Sequence, residues 1–475
     1  MNLIDAMRQK DTKTENGMIT NSSSLKATLN FFFMSGAMRK ADNERIIEKF
    51  VKSFEENKDL TMKMLFWLRD IRFGIGERKV FRTIIKYMLN AGSEYSNALL
   101  KNIEYIPEYG RWDDLLEIFM LSNDNIISKK ITDLIFFGLN SKNQLCAKWM
   151  PRQGKVANKL RTAFKLSPKE WRQLLVSLTN VVEQKMCANK WNQIEYNKLP
   201  SVAMSRYKTA FFKHDEEGIK KYIASLQQGK TTINTGAIYP YDVIRMLKTC
   251  SSTKERDLAN EQWKALPNYL QDDNSKMLVV ADTSGSMASL VSGSISCLDI
   301  CISLAIYTSE RNNGPFKDAF ITFSVKPKLQ ILHGSLSSKI DQLNKSDWDC
   351  NTDLSAVFEV ILSTAVNNNV HKKDMPKYIL IISDMEFDSC NRESRTAIED
   401  IKIKYKHAGY KLPNIVFWNI QSRHDNIPVK FDKTGTGLIS GFSPSIIKCV
   451  LNGDINPTKI MLRTILTDRY EKISV

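Results

Sequence analysis

Among the eight cysteines of this 475-residue chain there is no C-x-x-C pair, and the five histidines are scattered away from them. A zinc site has no ligand set here, and disulfide scaffolding has no spacing pattern to support it. The reading is free thiols in a reducing compartment, with Cys297 and Cys301, four apart on a helical stretch, as small buried apolar residues. The N-terminus lacks a basic start followed by an apolar core, which argues against a signal peptide. No apolar run approaches the length of a membrane span. These absences predict an intracellular, cytoplasmic protein that is neither secreted nor membrane-bound. G-x-G-x-x-G and the P-loop ending G-K-[ST] are also missing, so neither standard phosphate-cradling loop is present. His333, His371, His407 and His424 have no Ser or Cys partner in an activating motif. No catalytic residue is assigned, and the chain reads as non-enzymatic.

What is present divides in two. Residues 1–270 carry 44 Lys and Arg against 29 Asp and Glu, whereas residues 271–475 carry 24 against 23. The excess concentrates in residues 141–214, with 15 basic and 3 acidic side chains, a balance of +12. Such asymmetry points to an acidic partner for the first half, nucleic acid foremost. Within the tract, Lys148, Arg152, Lys155 and Lys159 fall at four- and three-residue steps and would line one helical face, with Pro151 and Gly154 turning part of it into loop. Trp149, Arg161, Lys165, Trp171 and Arg172 interleave. Lys148, Trp149, Arg152, Lys155, Lys159, Arg161, Lys165 and Arg172 are the candidate RNA-binding residues, with Trp149 and Trp171 as stacking groups. The bland reading is a solvated basic surface.

Hydrophobic periodicity also changes along the chain. Residues 1–24 are polar and read as a mobile leader. From residue 25 apolar side chains recur at three- and four-residue steps: Ile46, Ile47, Phe50, Val51 and Phe54, then Met64, Leu65, Leu68 and Ile71, then Phe81, Ile84, Ile85, Met88 and Leu89. Leu115, Leu116 and Phe119 continue the pattern, as do Leu174, Leu175 and Leu178. This is amphipathic-helix spacing. It predicts stacked helical hairpins over residues 25–270, an all-α helical-repeat domain without a clean repeat period. After a polar, Pro-containing junction at 265–275 the pattern becomes apolar runs at 277–281, 319–325, 378–382 and 414–420. These alternate with helical stretches near 295–311, 353–366 and 394–407, with further helices at 444–452 and 457–471. Alternation of this kind predicts an α/β domain over residues 274–475, built on a mainly parallel, Rossmann-like sheet.

Two short segments invite a binding role and have plainer explanations. Arg72-Phe73-Gly74-Ile75-Gly76-Glu77-Arg78 follows a helical pattern and reads as a tight helix–helix connection. Glu108-Tyr109-Gly110-Arg111-Trp112-Asp113-Asp114 reads as a packed Trp with a capping pair, although an aromatic beside a cation can also hold an unstacked base.

The strongest chemical signal stands at the end of the run Met277-Leu278-Val279-Val280-Ala281. Asp282, Ser284 and Ser286 put a carboxylate and two hydroxyls at alternate positions of a turn, at the strand end where α/β sheets gather ligands. Asn351-Thr352-Asp353-Leu354 opens a helical stretch, with Thr352 70 residues after Asp282. Asp384 ends a second apolar run, 102 residues after Asp282. Two carboxylates and three hydroxyls suit a small hard cation, Mg²⁺ or another divalent ion such as Mn²⁺. An aspartyl-phosphate enzyme would place D-x-D-x-[TV] here, and position 284 is Ser. The set Asp282, Ser284, Ser286, Thr352 and Asp384 resembles the metal-ion-dependent adhesion site of von Willebrand factor A domains.

With those residues in hand a wider resemblance follows. Residues 72–81 and 109–116 resemble the helical module named for telomerase, Ro and vault proteins (TROVE). The C-terminal half resembles the A-type domain that follows this module in Ro RNA-binding proteins. The chain as a whole resembles an uncharacterised family of plants and giant viruses, on Ser309-Glu310-Arg311-Asn312, Gly314-Pro315-Phe316, Ile382-Ser383-Asp384-Met385-Glu386-Phe387-Asp388 and Gly409-Tyr410-Lys411-Leu412-Pro413-Asn414-Ile415-Val416-Phe417-Trp418-Asn419. It covers most of residues 25–455. It implies a non-enzymatic RNA-binding scaffold of Ro ribonucleoprotein type, placed in host cytoplasm or virion if viral. The alternative is a protein-adhesion or structural component that docks an acidic protein partner through the metal site. Glu386 and Asp388 depart from the adhesion pattern by adding negative charge beside Asp384.

Overall fold

The computed structural model describes residues 11–235, 238–270, 276–323, 327–344, 352–388, 397–451 and 455–475. The chain forms two compact units, one of Met1–Thr61 with Ile238–Thr467, the other of Met62–Ala237 with Asp468–Val475.

Among the described residues ten strands occur in chain order: β1 (Asp11–Lys13), β2 (Ile19–Asn21), β3 (Met277–Ala281), β4 (Leu290–Ser292), β5 (Ile295–Ser296), β6 (Ala319–Thr322), β7 (Leu329–Ile331), β8 (Tyr378–Ser383), β9 (Asn414–Asn419) and β10 (Thr436–Ser440). Six of them build the sheet of the first unit, in the order β10-β9-β8-β3-β6-β7. All its neighbours are parallel except the edge pair β6 and β7. Every residue of β3 and β8 is buried, as expected of a sheet covered on both faces, where apolar runs need not alternate with polar residues. Helix Cys297–Arg311 begins with a reciprocal cap. Ser296 Oγ accepts from the Asp299 amide at 3.1 Å, and the Asp299 carboxylate accepts from the Ser296 amide at 3.1 Å, satisfying two donors that a helix start leaves open. Helix Leu354–Asn367 is capped by Asp353, which accepts from the Ala356 amide at 3.1 Å.

The anticipated strands at 277–281, 378–382 and 414–420 are present to within a residue, and that at 319–325 begins on time but ends at Thr322, with residues 324–326 outside the described set. The expected helices at 295–311 and 353–366 are present within two residues of each end, and that near 394–407 is described from Ala397 to His407, residues 394–396 lying outside the described set. The last expected helix, 457–471, stops at Ile465, where Leu466 leaves helical geometry.

Two boundaries differ from expectation. The polar leader is not free from Asp11 on: β1 and β2 pair with each other, and Asn21 exchanges backbone bonds with Ile427 at 3.2 and 2.8 Å. Backbone pairing, to which side-chain polarity is no guide, holds it. Residues 1–10 lie outside the described set. Nor do residues 25–270 form one body. Helix Ala27–Ser35 packs on β10, and helix Pro240–Lys248 packs on Cys297–Arg311, both within the sheet unit. Helical spacing shows that a face is buried without showing against what.

The second unit is helical throughout its described residues apart from short connections and an isolated bridge, Pro200 to Asn234. Consecutive helices pack as pairs, Lys79–Asn90 on Ser93–Asn102 and Ser201–His214 on Glu216–Gln227. Its interior holds an ion network: Arg69 meets Asp114 at 2.8 Å, and Arg82 meets Asp113, Asp114 and Glu117 at 2.8, 2.8 and 2.9 Å. No helix of the structure is long and apolar enough to cross a membrane, among the described residues.

Candidate functional site

The parallel ladder of β3 and β8 sets the sheet-end cluster. It pairs Ala281 with Ile382, so the next residues, Asp282 and Ser383, leave the sheet side by side. The Asp282 amide donates to the Ile382 carbonyl at 3.0 Å. One Asp282 carboxylate oxygen accepts from Ser383 Oγ at 2.6 Å, the other from the Ser284 amide at 2.9 Å. Ser284 Oγ lies 3.0 Å from Ser286 Oγ, and the Ser286 hydroxyl bonds to Asp384. Asp384 in turn accepts from the Glu386 amide at 3.3 Å, and Thr352 Oγ1 donates to the Glu386 carbonyl at 3.1 Å. Thus Asp282, Ser284, Ser286, Thr352 and Asp384 belong to one hydrogen-bonded network. Asn351, quoted with Thr352 in the sequence motif, lies outside the described residues.

Burial dominates the electrostatics. Asp282 has no solvent exposure and Asp384 has 1 %. Desolvation, followed by the charge of Asp384, pushes the Asp282 carboxyl well up from its ordinary value, although Ser383 and Ser284 hydrogen bonds oppose it. Burial likewise raises Asp384, against the pull of Arg423 and Ser286. Two neighbouring buried carboxylates resist joint ionisation unless a cation joins them. Arg423 provides one such charge, 2.7 Å from Asp384 and 3.1 Å from Glu15. An oxygen-only set of this kind could hold a divalent cation.

Several residues of this site escape a sequence reading. Glu15 and Asn16, in the turn between β1 and β2, reach it: the Glu15 amide donates to the Glu386 carboxylate at 2.7 Å, and Asn16 Nδ2 to the Glu386 carbonyl at 2.8 Å and to Thr352 Oγ1 at 3.4 Å. From the segment after β9, His424 Nδ1 lies 3.0 Å from Glu386, and Asn426 Nδ2 donates to both Glu386 oxygens at 2.9 Å. Ligand atoms of Glu15, Glu386 and His424 lie within 4.8 Å of one another. Only the extra acids Glu386 and Asp388 were legible beforehand. Asp388 is tied back to the Thr352 backbone amide.

The basic tract takes a different form. Helix Gln144–Trp149 ends before Pro151, and Gly154, at φ 92°, caps a new helix, Lys155–Ala163. The stripe is interrupted at the Pro151–Gly154 loop that the sequence reading allowed for: Lys148 lies in the last turn of one helix, Arg152 sits in the connection, and Lys155 and Lys159 open the next. Arg152, Lys155, Lys159, Lys165 and Arg172 are exposed, whereas Lys148, Trp149 and Arg161 are half-buried. Lys148 lies beside a cavity of about 250 Å³ whose lysines have carboxylate partners: Lys148 with Glu183 at 3.9 Å, Lys185 with Glu195 at 4.0 Å and Lys198 with Glu195 at 2.5 Å. Trp149 carries the Arg111 guanidinium 5.3 Å from its ring centre. Trp171 is fully buried, its indole N–H donating to the Pro151 carbonyl at 2.9 Å. It is a core residue and not a stacking platform.

The two ambiguous segments take their plainer readings. In the 72–78 connection the buried Asp70 carboxylate accepts from the Arg72 and Phe73 amides at 2.9 and 3.3 Å and from Arg469 at 3.0 Å. Those amides are spent on a protein carboxylate. Gly74 is required there because a Cβ would lie 2.0 Å from the Trp67 carbonyl oxygen. In the 108–114 segment Tyr109 is fully buried and Asp114 joins the ion network.

Comparison with known proteins gives three findings. Residues 14–144 and 126–275 match a domain of unknown function, DUF2828, and residues 276–468 match a second, DUF7788. An uncharacterised protein of Acanthamoeba polyphaga mimivirus is 29% identical over 509 residues, covering 95% of this chain and 86% of that protein. The expected tie to giant-virus proteins is met by this relative. A crystal structure of the Ro (RSR) protein of Deinococcus radiodurans aligns with 93% of this chain and 99% of that one, at 10% identity and a TM-score of 0.37, a likeness too loose to carry fold or function across.

Proposed function

The chain belongs to the family of the domain of unknown function DUF2828, and from that premise we propose that it is a non-enzymatic, intracellular RNA-binding scaffold. In this reading the helical unit is of TROVE type and binds RNA, and the sheet unit is a von Willebrand factor A-type domain with a divalent-cation centre. The observation that carries it is the exposed group Arg152, Lys155, Lys159, Lys165 and Arg172 within a tract that has only three acidic residues. Exposed cations of this density attract a phosphate backbone and release its counterions.

Mg²⁺, or Mn²⁺ in its place, would be held by Asp282, Ser284, Ser286, Thr352 and Asp384. The fit rests on the donor chemistry and on the paired buried carboxylates. A bound cation would supply positive charge between them and an electrophilic position for an acidic group. The chain's own residues orient the set: Ser383 fixes Asp282, and Glu386 links Asp384 to Thr352. Docking of an acidic protein partner at that centre is the second reading. The hydroxyl-rich donor set favours it, and the carboxylates of Glu15 and Glu386 nearby weigh against it by like-charge repulsion.

Filter binding of single-stranded RNA across a salt series tests the RNA reading. Affinity should fall steeply with salt, with a log–log slope of about −0.7 per neutralised phosphate. Replacing Lys148, Arg152, Lys155 and Lys159 together by Ala should weaken binding and flatten the slope. Identical affinity and slope would leave the tract a solvated surface. Titration calorimetry with Mg²⁺ tests the centre: Asp282→Ala should abolish the binding heat, and equal heats in both proteins would remove the assignment.

A further inference from the structure

At the N-terminal edge of the same sheet, opposite the Asp282 end, lies a cavity of about 380 Å³. Its volume is within the usual range for small-molecule sites. Lys276, Lys372, Lys373, Lys377 and Lys411 line it. Parallel pairing explains why they gather. Lys276 immediately precedes β3, Lys377 precedes β8, and Lys411 stands three residues before β9. The rim is held by backbone bonds: the Lys377 amide donates to the Lys276 carbonyl at 2.8 Å, and the Asn414 amide to the Lys377 carbonyl at 2.9 Å. Lys372 and Lys373 lie in a turn capped by His371 Nδ1, which accepts from the Lys373 amide at 3.2 Å.

The charge balance is one-sided. Lys276 has Asp374 at 3.7 Å. Among the described residues, Lys372, Lys373, Lys377 and Lys411 have no carboxylate within ion-pair distance. The lysines of the 250 Å³ cavity in the helical unit differ, each having a glutamate beside it. Concentrated like charge on a shaped wall raises the local concentration of anions. Lysine ammoniums contact phosphate as point charges. The other wall is apolar. Pro376, Leu412 and Pro413 line it, and the Tyr410 ring is fixed by its hydroxyl, which donates to the Val370 carbonyl at 2.8 Å and lies 3.1 Å from the Ala365 carbonyl. A ligand with several phosphoryl groups and one flat, weakly polar ring matches both walls.

We propose that this cavity binds a nucleoside polyphosphate, phosphates on the lysine rim and base against the Tyr410 and proline wall. The site is separate from the basic tract and from the Asp282 cluster, so it stands whether or not RNA or a metal is bound there.

The test is calorimetry on the full chain in EDTA at moderate salt, with ATP, inorganic tripolyphosphate and adenosine as probes. ATP should bind at least ten-fold more tightly than either fragment, because each fragment meets only one wall. Lys373→Glu with Lys411→Glu should weaken ATP at least ten-fold. Lys402→Glu with Lys406→Glu, an equal charge change on helix Ala397–His407, should leave it within two-fold. The Ala replacements at Lys148, Arg152, Lys155 and Lys159 should also leave it within two-fold. Unchanged melting temperatures for the rim variant would establish that it folds. Tripolyphosphate binding as tightly as ATP, or equal losses in rim and control variants, would overturn the proposal. Should the rim variant fail to fold, Lys411→Gln alone must still weaken ATP, and no change there overturns it equally.

Discussion

The sheet-end cluster and the basic tract are opposite kinds of site. Around Asp282 a few buried carboxylates are held by named neighbours: Ser383 on one Asp282 oxygen, the Ser284 amide on the other, Arg423 on Asp384. Along Lys155–Ala163 the basic groups Lys155 and Lys159 are exposed and Arg161 is half-buried, and among the described residues none is paired with a buried carboxylate. A preorganised pair of carboxylates can select one small cation, whereas a dispersed cationic surface reads charge and contour. The first is sensitive to one residue, the second only to several at once.

The largest expected effect sharpens this contrast within the helical unit itself, where charges are also buried. Arg69→Ala removes one of the two guanidiniums paired with the fully buried Asp114, leaving Arg82 and the Arg111 amide. Breaking a buried ion pair from one side costs about 3–5 kcal/mol, so urea denaturation should show a loss of that order. A loss comparable to that of an exposed lysine on the same unit would break the distinction between its interior and its basic face.

A smaller effect concerns what holds the N-terminal helices to the sheet unit. Asp425, two residues after Arg423, is gripped by Arg45 at 2.9 Å and Lys49 at 2.5 Å. Burial alone would raise its carboxyl, but the Lys49 and Arg45 partners outweigh it and hold it below the ordinary carboxylate value. A carboxylate depressed in this way adds stability above its unfolded pKa of about 3.9, and that stability is lost as pH falls through the lower folded value. Its side chain is 39% exposed, so solvent screening limits the contribution to about 1 kcal/mol. Asp425→Asn should lower neutral-pH stability by about that amount in thermal unfolding, and the gap from wild type should close as pH falls through the depressed folded value. A gap that persists undiminished in acid would refute the ion-pair account.

The smallest effect separates two tryptophans that look alike in sequence. Arg111 already stands over Trp149, so Trp149→Ala should weaken RNA binding by no more than about 1 kcal/mol, the low end for base stacking. Trp171→Phe should leave RNA affinity unchanged and cost about 1 kcal/mol of stability through its lost hydrogen bond to Pro151. RNA gel shifts and urea melts on both variants read these directly, and RNA affinity that responds to Trp171 and not to Trp149 would reverse the assignment.

Legibility follows the range of the interactions. Strand β3 was readable to the residue because a doubly covered parallel strand must be apolar throughout. Strands β7 and β10 were not: Leu329 and Ile331 of β7 are exposed at 55% and 54%, and β10 is a short run containing Gly437. Asp282 and Asp384 could be named together because each ends an apolar run, and strand ends are where α/β sheets place ligands. Arg423, Asn426 and Asn16 carry no comparable local mark, since they reach the cluster from a loop and from the far end of the chain.

By itself the amino-acid order determined the helical first half, the buried strands, and the carboxylates and hydroxyls at their ends, all of which depend on near neighbours and on period. Only the tertiary structure decided that residues 11–21 lie against Thr352 and Glu386, that Arg423 neutralises Asp384, that Trp171 is core, and that lysines from three separate segments share one cavity. The lysine cavity and the Asp282 end depend on which strands pair in parallel and in what register, because parallel pairing brings the strand starts together at one edge and their ends together at the other; the burial of Trp171 depends instead on helix packing and its bond to Pro151.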